Sequence, residues 1–389
     1  MYETSNMDNI VPLYYFRSDK LGKYTNGSGC GNEMASEKPM VRKFILDSIL
    51  HWIKNYHIDG LRFDLMELID LDTMKEIVKR SEEIDEKILI YGEPWKGGDS
   101  PLSNGTYKGS QKGLGFSIFN DDFRNALRGN NDPSNGFING EQHNKNKVWQ
   151  VIEGIKGSIN SITYKPMESI NYLEAHDNYT LWDQIVKSQN HSVEKGHYRD
   201  FNEENILDNL YVKEDLLGAS ILFTSQGIPF IQSGAEFLRS KDGDHNSYKS
   251  PDSINALNWA EKEKYIDVFN YYKDLISLRK NHSAFRMKNP EDIIGNLEVY
   301  FYDNNDTSGV IIAHYKNNAN EDLWKDIVVI YNGTTIDDYN VISSMPKSSN
   351  GFWNIAVKSW ALNQFGIERV SEDEIPKIKS HSMMILYDE

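Results

Sequence analysis

Five short apolar runs punctuate the first three quarters of the chain: IDGLRFDL (58–65), KILIYGEPW (87–95), GFSIFNDD (115–122), SINYLEAHDN (169–178) and GIPFIQSGAEF (227–237). Between them the apolar residues recur every three or four positions, the spacing of a half-buried helix. Val41, Phe44, Ile45, Ile49, Trp52, Ile53 and Tyr56 form one such stripe. Pro39 falls in its first turn, and Ser36 is the expected N-cap. Further helices are expected around Met74, Ile77 and Val78, over FRNALRG, over LLGASILFTSQ, and over 263–280. Strands that alternate with helices pair in parallel through right-handed crossovers. The expected class is therefore α/β.

From about residue 290 the pattern changes. LEVYFYD, GVIIAHY, DIVVIYN, FWNIAVK and SMMILY follow one another with little helical spacing between them. DNNDTSG reads as a hairpin turn between the first two. The expectation is a parallel α/β domain over 1–289 and an antiparallel β-sandwich over 290–389. Residues 1–35, rich in Gly and Asn, read as loop.

Composition narrows the function. With 389 residues, 39% hydrophobic and 12% aromatic, the chain can bury about two domains. A formal charge of -16 opposes nucleic acid and anionic membrane surfaces. The single cysteine, Cys30, can form no internal disulfide, which suits a reducing compartment. MYETSNMDNIVPLYYFR has neither the basic start nor the apolar stretch of an export signal, so a cytoplasmic location is expected.

The apolar runs carry charges where charge is expensive. Arg62 and Asp64 lie two apart, hence on one face of a strand. An ion pair in a buried strand costs several kcal/mol of desolvation per charge, which pairing only partly offsets. Glu93 ends the second run, and His176 and Asp177 end the fourth. In (β/α) barrels the C-terminal rim of the strands is where active sites are built. Two or three carboxylates and a histidine, without a nucleophilic Ser or Cys motif or a metal-ligand cluster, suit glycosidic bond cleavage. Arg62 beside Asp64 would keep that carboxylate ionised as nucleophile. Pro94 and Trp95 beside Glu93 would raise its pKa and suit it as acid and then base. Asp177, with His176, is left to bind sugar hydroxyls and the oxocarbenium-like transition state.

DGLRFDL, YGEPW and EAHDN resemble the second, third and fourth signature regions of the α-amylase superfamily, glycoside hydrolase family 13. The stretch from YYFRSDKLGKYTNGSGCGNE to GLRFDLM, the Pro94–Trp95 pair, and SQGIPFIQSGAEFLRSKDGDHNSY are similar, more narrowly, to type I pullulanases. The resemblance implies a (β/α)8 TIM-type barrel of which this chain holds about five βα units, the fourth to the eighth. The first signature region and the first strands are not in the sequence. It implies retaining hydrolysis of α-1,6 branch linkages in pullulan, amylopectin and limit dextrins. Asp64 would then be nucleophile, Glu93 acid/base and Asp177 transition-state stabiliser, with Arg62, His176 and the weaker candidate Asn178 as substrate contacts. Trp95 would offer a stacking face to a sugar ring, although a core aromatic is its other reading. The resemblance also implies an α-glucan substrate and, as partner, the N-terminal portion of the same enzyme.

No cofactor is required by this chemistry. Asp242, Asp244 and Asn246 in KDGDHN start like a calcium loop, but the Gly and Glu of an EF-hand are absent, so calcium is not indicated. Two rival functions stay open: an α-1,4-acting amylase or neopullulanase relative, and a non-catalytic glucan-binding or inactive fragment.

Overall fold

The computed structural model describes residues 6–200, 205–301, 309–342 and 345–389. The chain forms two compact units, Met1–Phe119 with Asn160–Ile170, and Asn120–Ile159 with Asn171–Glu389.

The first unit begins with a one-turn helix, α1 (Asn6–Ile10), inside the segment expected as loop. The helix α2 (Pro39–Tyr56) starts with Pro39 in its first turn, but its N-cap is Lys38, without a side-chain capping bond. Ser36 is instead buried, and its Oγ accepts the N–H of Asp70 at 2.9 Å. Asp70 in turn caps α3 (Leu71–Glu82) by accepting the N–H of Thr73. The strands β1 (Gly60–Phe63), β2 (Leu89–Gly92), β3 (Ser117–Phe119) and the start of β4 (Ser169–Tyr172) pair in parallel, in that order. Ile49, Ile53, Met66, Met74, Ile77, Ile90 and Ile118 form the core between strands and helices.

The stripe expected on α2 is only partly buried. Val41, Ile49 and Ile53 are covered, whereas Met40, Phe44, Trp52 and Tyr56 are each about half exposed. Phe44, Trp52 and Tyr56 thus stand outside the core that Ile49 and Ile53 enter. Among the described residues β1 ends the sheet order and has no neighbour on its far side.

The second unit holds the end of β4, followed in sheet order by β5 (Ile228–Phe230). Its helices are α4 (Asp121–Arg128), α5 (Lys145–Ile155), α6 (Leu181–Gln189), α7 (Leu210–Thr224), α8 (Asp252–Asn255), α9 (Ala260–Lys264), α10 (Ile266–Asn281) and α11 (Pro290–Asn296). The single helix expected over 263–280 is thus two, broken at Tyr265. Helix α7 is buried nearly all round, as its continuous apolar sequence requires.

After α11 come β6 (Leu297–Phe301), β7 (Val310–Tyr315), β8 (Asp326–Asn332), β9 (Phe352–Lys358), β10 (Ala361–Leu362), β11 (Glu368–Ser371) and β12 (Ser382–Asp388). All pair antiparallel, as the sequence implies. The second sheet of the expected sandwich is not among the described residues, where every strand after α11 joins one sheet in the order β10-β9-β12-β8-β7-β6, with β11 on β9. The reason lies in the alternation along the long strands, where both faces are apolar. Ile311, Val329, Tyr331, Met383 and Ile385 pack into the helical core. Val310, Val328, Ile330, Trp353 and Leu386 face the other way and are covered by Tyr339, Val341, Ile375 and Ile378, a layer of loop tied by one bridge between Tyr339 and Ile378. The turn expected over DNNDTSG falls, apart from Gly309, outside the described residues.

Candidate active site

In the first unit the backbone brings Arg62, Asp64 and Glu93 together. Glycines 60 and 92 are packed so closely that a Cβ on Gly60 would lie 2.6 Å from the carbonyl oxygen of Leu89, and one on Gly92 the same distance from that of Phe63. This fixes β1 and β2 tightly side by side. Glu93 directly follows β2, and its N–H donates to the carbonyl of Phe63 at 3.0 Å. Asp64 directly follows β1, and Leu65 then turns through a left-handed backbone, φ 43°. Its N–H donates to Glu93 Oε2 at 2.8 Å. The Arg62 guanidinium bridges the two acids, donating through Nη1 to Asp64 Oδ1 and through Nη2 to Glu93 Oε1 at 2.5 Å.

The energetic premise for these ions needs correction. β1 is half-buried along its length rather than buried, and Asp64 lies past its end with 68% of its side chain exposed. The charges therefore keep much of their hydration, and it is Glu93, 7% exposed, that is desolvated. Nor are the neighbours of Glu93 only apolar, since a guanidinium and a backbone N–H both contact its carboxylate.

Aromatic rings floor this cluster. Arg62 lies over Phe119 at 6.0 Å, with Tyr91 and Trp95 at 5.6 and 6.5 Å from the same ring. Trp95 is half-buried. Asp64 also lines a cavity of about 340 Å³ with Leu65, Ser28, Asn32, Glu33 and Met34. The loop that supplies the last four is anchored by Glu33, whose carboxylate accepts from Arg17, Thr25 and Ser100 at 2.5, 2.5 and 2.7 Å. The same loop leans on 97–98, where both glycine N–H groups donate to the carbonyl of Gly27. Phe119 and the Arg17–Glu33 pair were not singled out from sequence. An acid set in the Gly-rich loop NGSGCGNE is the available sign of the second.

His176, Asp177 and Asn178 belong to the second unit, five residues or so past β4. His176 Nε2 lies 3.5 Å from Asp177 Oδ2, and both side chains are largely exposed. Asn178 has a left-handed backbone, φ 65°. Upstream, Glu174 is buried and accepts the N–H of Leu181 at 2.6 Å, closing the loop on itself. Burial is the main influence on Glu174 and pushes its carboxyl up to about 7. Asp242 accepts the N–H of Gly196, and Asp244 accepts from Ser250 Oγ and the Asn246 N–H. Among the described residues no group of three or more His, Cys, Asp or Glu side chains could hold a metal. No helix among them is long and apolar enough to cross a membrane.

No family model matches the chain. It is 36% identical over 343 residues to the pullulanase of Bacillus subtilis strain 168, an alignment covering 85% of this chain and 45% of that protein. The solved pullulanase of Bacillus acidopullulyticus superposes with a TM-score of 0.86 at 40% identity, over 99% of this chain and 44% of its own. The pullulanase of Anoxybacillus sp. LM18-11, solved with maltotetraose, gives 0.84 at 33% identity over 100% and 52%. The chain thus spans about half the length of the relatives it matches. Carboxylates at the ends of parallel strands, the antiparallel sheet that follows, and these likenesses place the chain in the pullulanase family.

Proposed function

We propose that the chain carries the centre of a retaining glycoside hydrolase acting on α-1,6 linkages of pullulan, amylopectin and limit dextrins. The observation that carries the reading is the single guanidinium of Arg62 lying against two carboxylates at the ends of adjacent parallel strands. In this reading exposed Asp64 attacks the anomeric carbon, while buried Glu93 gives and then recovers the proton. Asp177 and His176 steady the oxocarbenium-like charge, Asn178 contacts the substrate, and Trp95 offers a ring face to a sugar. Neither metal nor cofactor enters such a reaction.

The exposed apolar residues of α2 and the side of β1 that is unpaired among the described residues support a partner as well. An open parallel edge beside half-exposed aromatics is an aggregation liability. The remaining βα units of a (β/α)8 barrel would supply a strand for that edge and a helix beside α2, so we propose that this chain pairs with the N-terminal portion of such an enzyme. Residues 1–289 would be its share of the barrel, residues 290–389 a C-terminal antiparallel β-domain, and the cytoplasm its location.

A reducing-sugar assay on pullulan tests the reading, with Asp64→Asn as control. Maltotriose released by the wild-type chain and not by the variant is the expected result. Maltose or panose as product would favour an α-1,4 specificity, and equal signals from the two proteins would overturn the catalytic reading.

A further inference from the structure

We propose that Lys241 is a positioning residue, its ammonium holding the backbone on either side of Asp177. Lys241 is 1% exposed, and its Nζ donates to the carbonyl of Asn178 at 2.5 Å and to that of His176 at 3.2 Å. Those two carbonyls bracket Asp177. Burying an ammonium costs several kcal/mol unless it is well bonded, so the placement asks for a reason. The obvious one would be an ion pair with Asp183, which is buried close by. Asp183 is already satisfied without the ammonium. Its carboxylate accepts Ser240 Oγ at 2.5 Å, the backbone N–H of Lys241 at 2.8 Å and that of Gly243 at 3.3 Å.

The lysine therefore joins two things. Its backbone sits in a cradle on α6, built by Asp183, and its side chain reaches across to a loop containing a left-handed residue, Asn178. Without the ammonium, two inward carbonyls lose their donor, and Glu174 is left holding the turn that presents Asp177 at its base. Burial moves the Lys241 ammonium below its usual range, against the opposing pull of Asp183.

The inference rests on the role proposed for Asp177. Hydrogen exchange read by mass spectrometry on the full chain tests it, comparing wild type, Lys241→Met and Lys241→Arg over fragments 174–183 and 382–388. At least tenfold faster exchange over 174–183 in the Met variant is expected. Slow exchange should return in the Arg variant, which keeps its donors, and 382–388 should not change. Unchanged exchange over 174–183, or an equal rise in both fragments, overturns the clamp. Asp177→Asn assayed on pullulan separates the two claims. Undiminished hydrolysis in that variant removes the role of Asp177, whereas the exchange result decides the clamp by itself.

Discussion

Glu214→Gln should change how stability depends on pH, by an amount the surroundings fix. Glu214 lies on α7 and is 2% exposed; its Oε2 accepts from Gln189 Nε2, and its Oε1 is 3.9 Å from His381 Nε2. Burial pushes the Glu214 carboxyl from 4.5 up to about 8, opposed by the Gln189 bond. Burial, helped by Lys213, pushes His381 from 6.5 down to about 4. Between 4.5 and 8 the folded chain keeps a proton on Glu214 that the unfolded chain gives up, so this group's contribution is full below 4.5 and falls as pH rises through 8. His381 acts in the opposite direction, since between 4 and 6.5 the unfolded chain binds the extra proton and stability rises with pH. The two slopes nearly cancel up to 6.5. Above it the glutamate acts alone, and the interval to 8 corresponds to about 2 kcal/mol. Glutamine keeps the bond to Gln189 and removes the titration. Urea unfolding followed by tryptophan fluorescence at pH 6.5, 7.5 and 8.5 should show the wild type losing about 2 kcal/mol more than the variant. Parallel pH curves for the two proteins would refute the argument.

Arg62→Met should lower stability by about 1–2 kcal/mol, because buried Glu93 loses a charge-assisted donor, and should lower pullulan hydrolysis at least a hundredfold. Thermal melting and the reducing-sugar assay check both, and hydrolysis within tenfold of wild type would count against the shared guanidinium. Gly97→Ala would bring a Cβ to 2.3 Å from the carbonyl oxygen of Ser28. The loop that walls the Asp64 cavity must then move, at a cost of about 1–3 kcal/mol. A urea midpoint equal to that of wild type would show the two loops are not packed as described.

The five parallel strands were legible because their apolar runs are short, bounded and separated by helical spacing, and each formed close to where it was expected. Errors came where a side chain does something its local sequence does not state. Ser36 looks like a helix cap but accepts a bond from Asp70, a residue 34 positions away. Phe44, Trp52 and Tyr56 fit a buried stripe by spacing, yet spacing reports a helix face and not whether anything lies against it. Helices α5 and α6 went unread because Asn144 and Thr180 announce their starts through capping bonds that polar loop sequence disguises. The apolar residues after 290 implied two sheets, but alternation on a strand with two covered faces does not say whether sheet or loop does the covering.

The candidate site divides along the same line. Arg62, Asp64 and Glu93 could be read because each sits at a strand end, and a strand is a ruler: neighbours in register put their ends together. Their energetic setting could not, since whether β1 is buried depends on what flanks it, and β1 turns out to be an edge among the described residues. Lys241 shows the further limit. In KDGDHN it is one lysine in a polar loop, indistinguishable from a solvated side chain. Its meaning comes from Asp183, 58 positions earlier, whose carboxylate draws the Lys241 backbone inward and so turns the ammonium toward the carbonyls of 176 and 178. A residue whose chemistry is conferred by a long-range backbone bond leaves no local pattern. Carboxylates at strand ends could therefore be found from the chain alone, whereas the cation that holds one of their loops required coordinates.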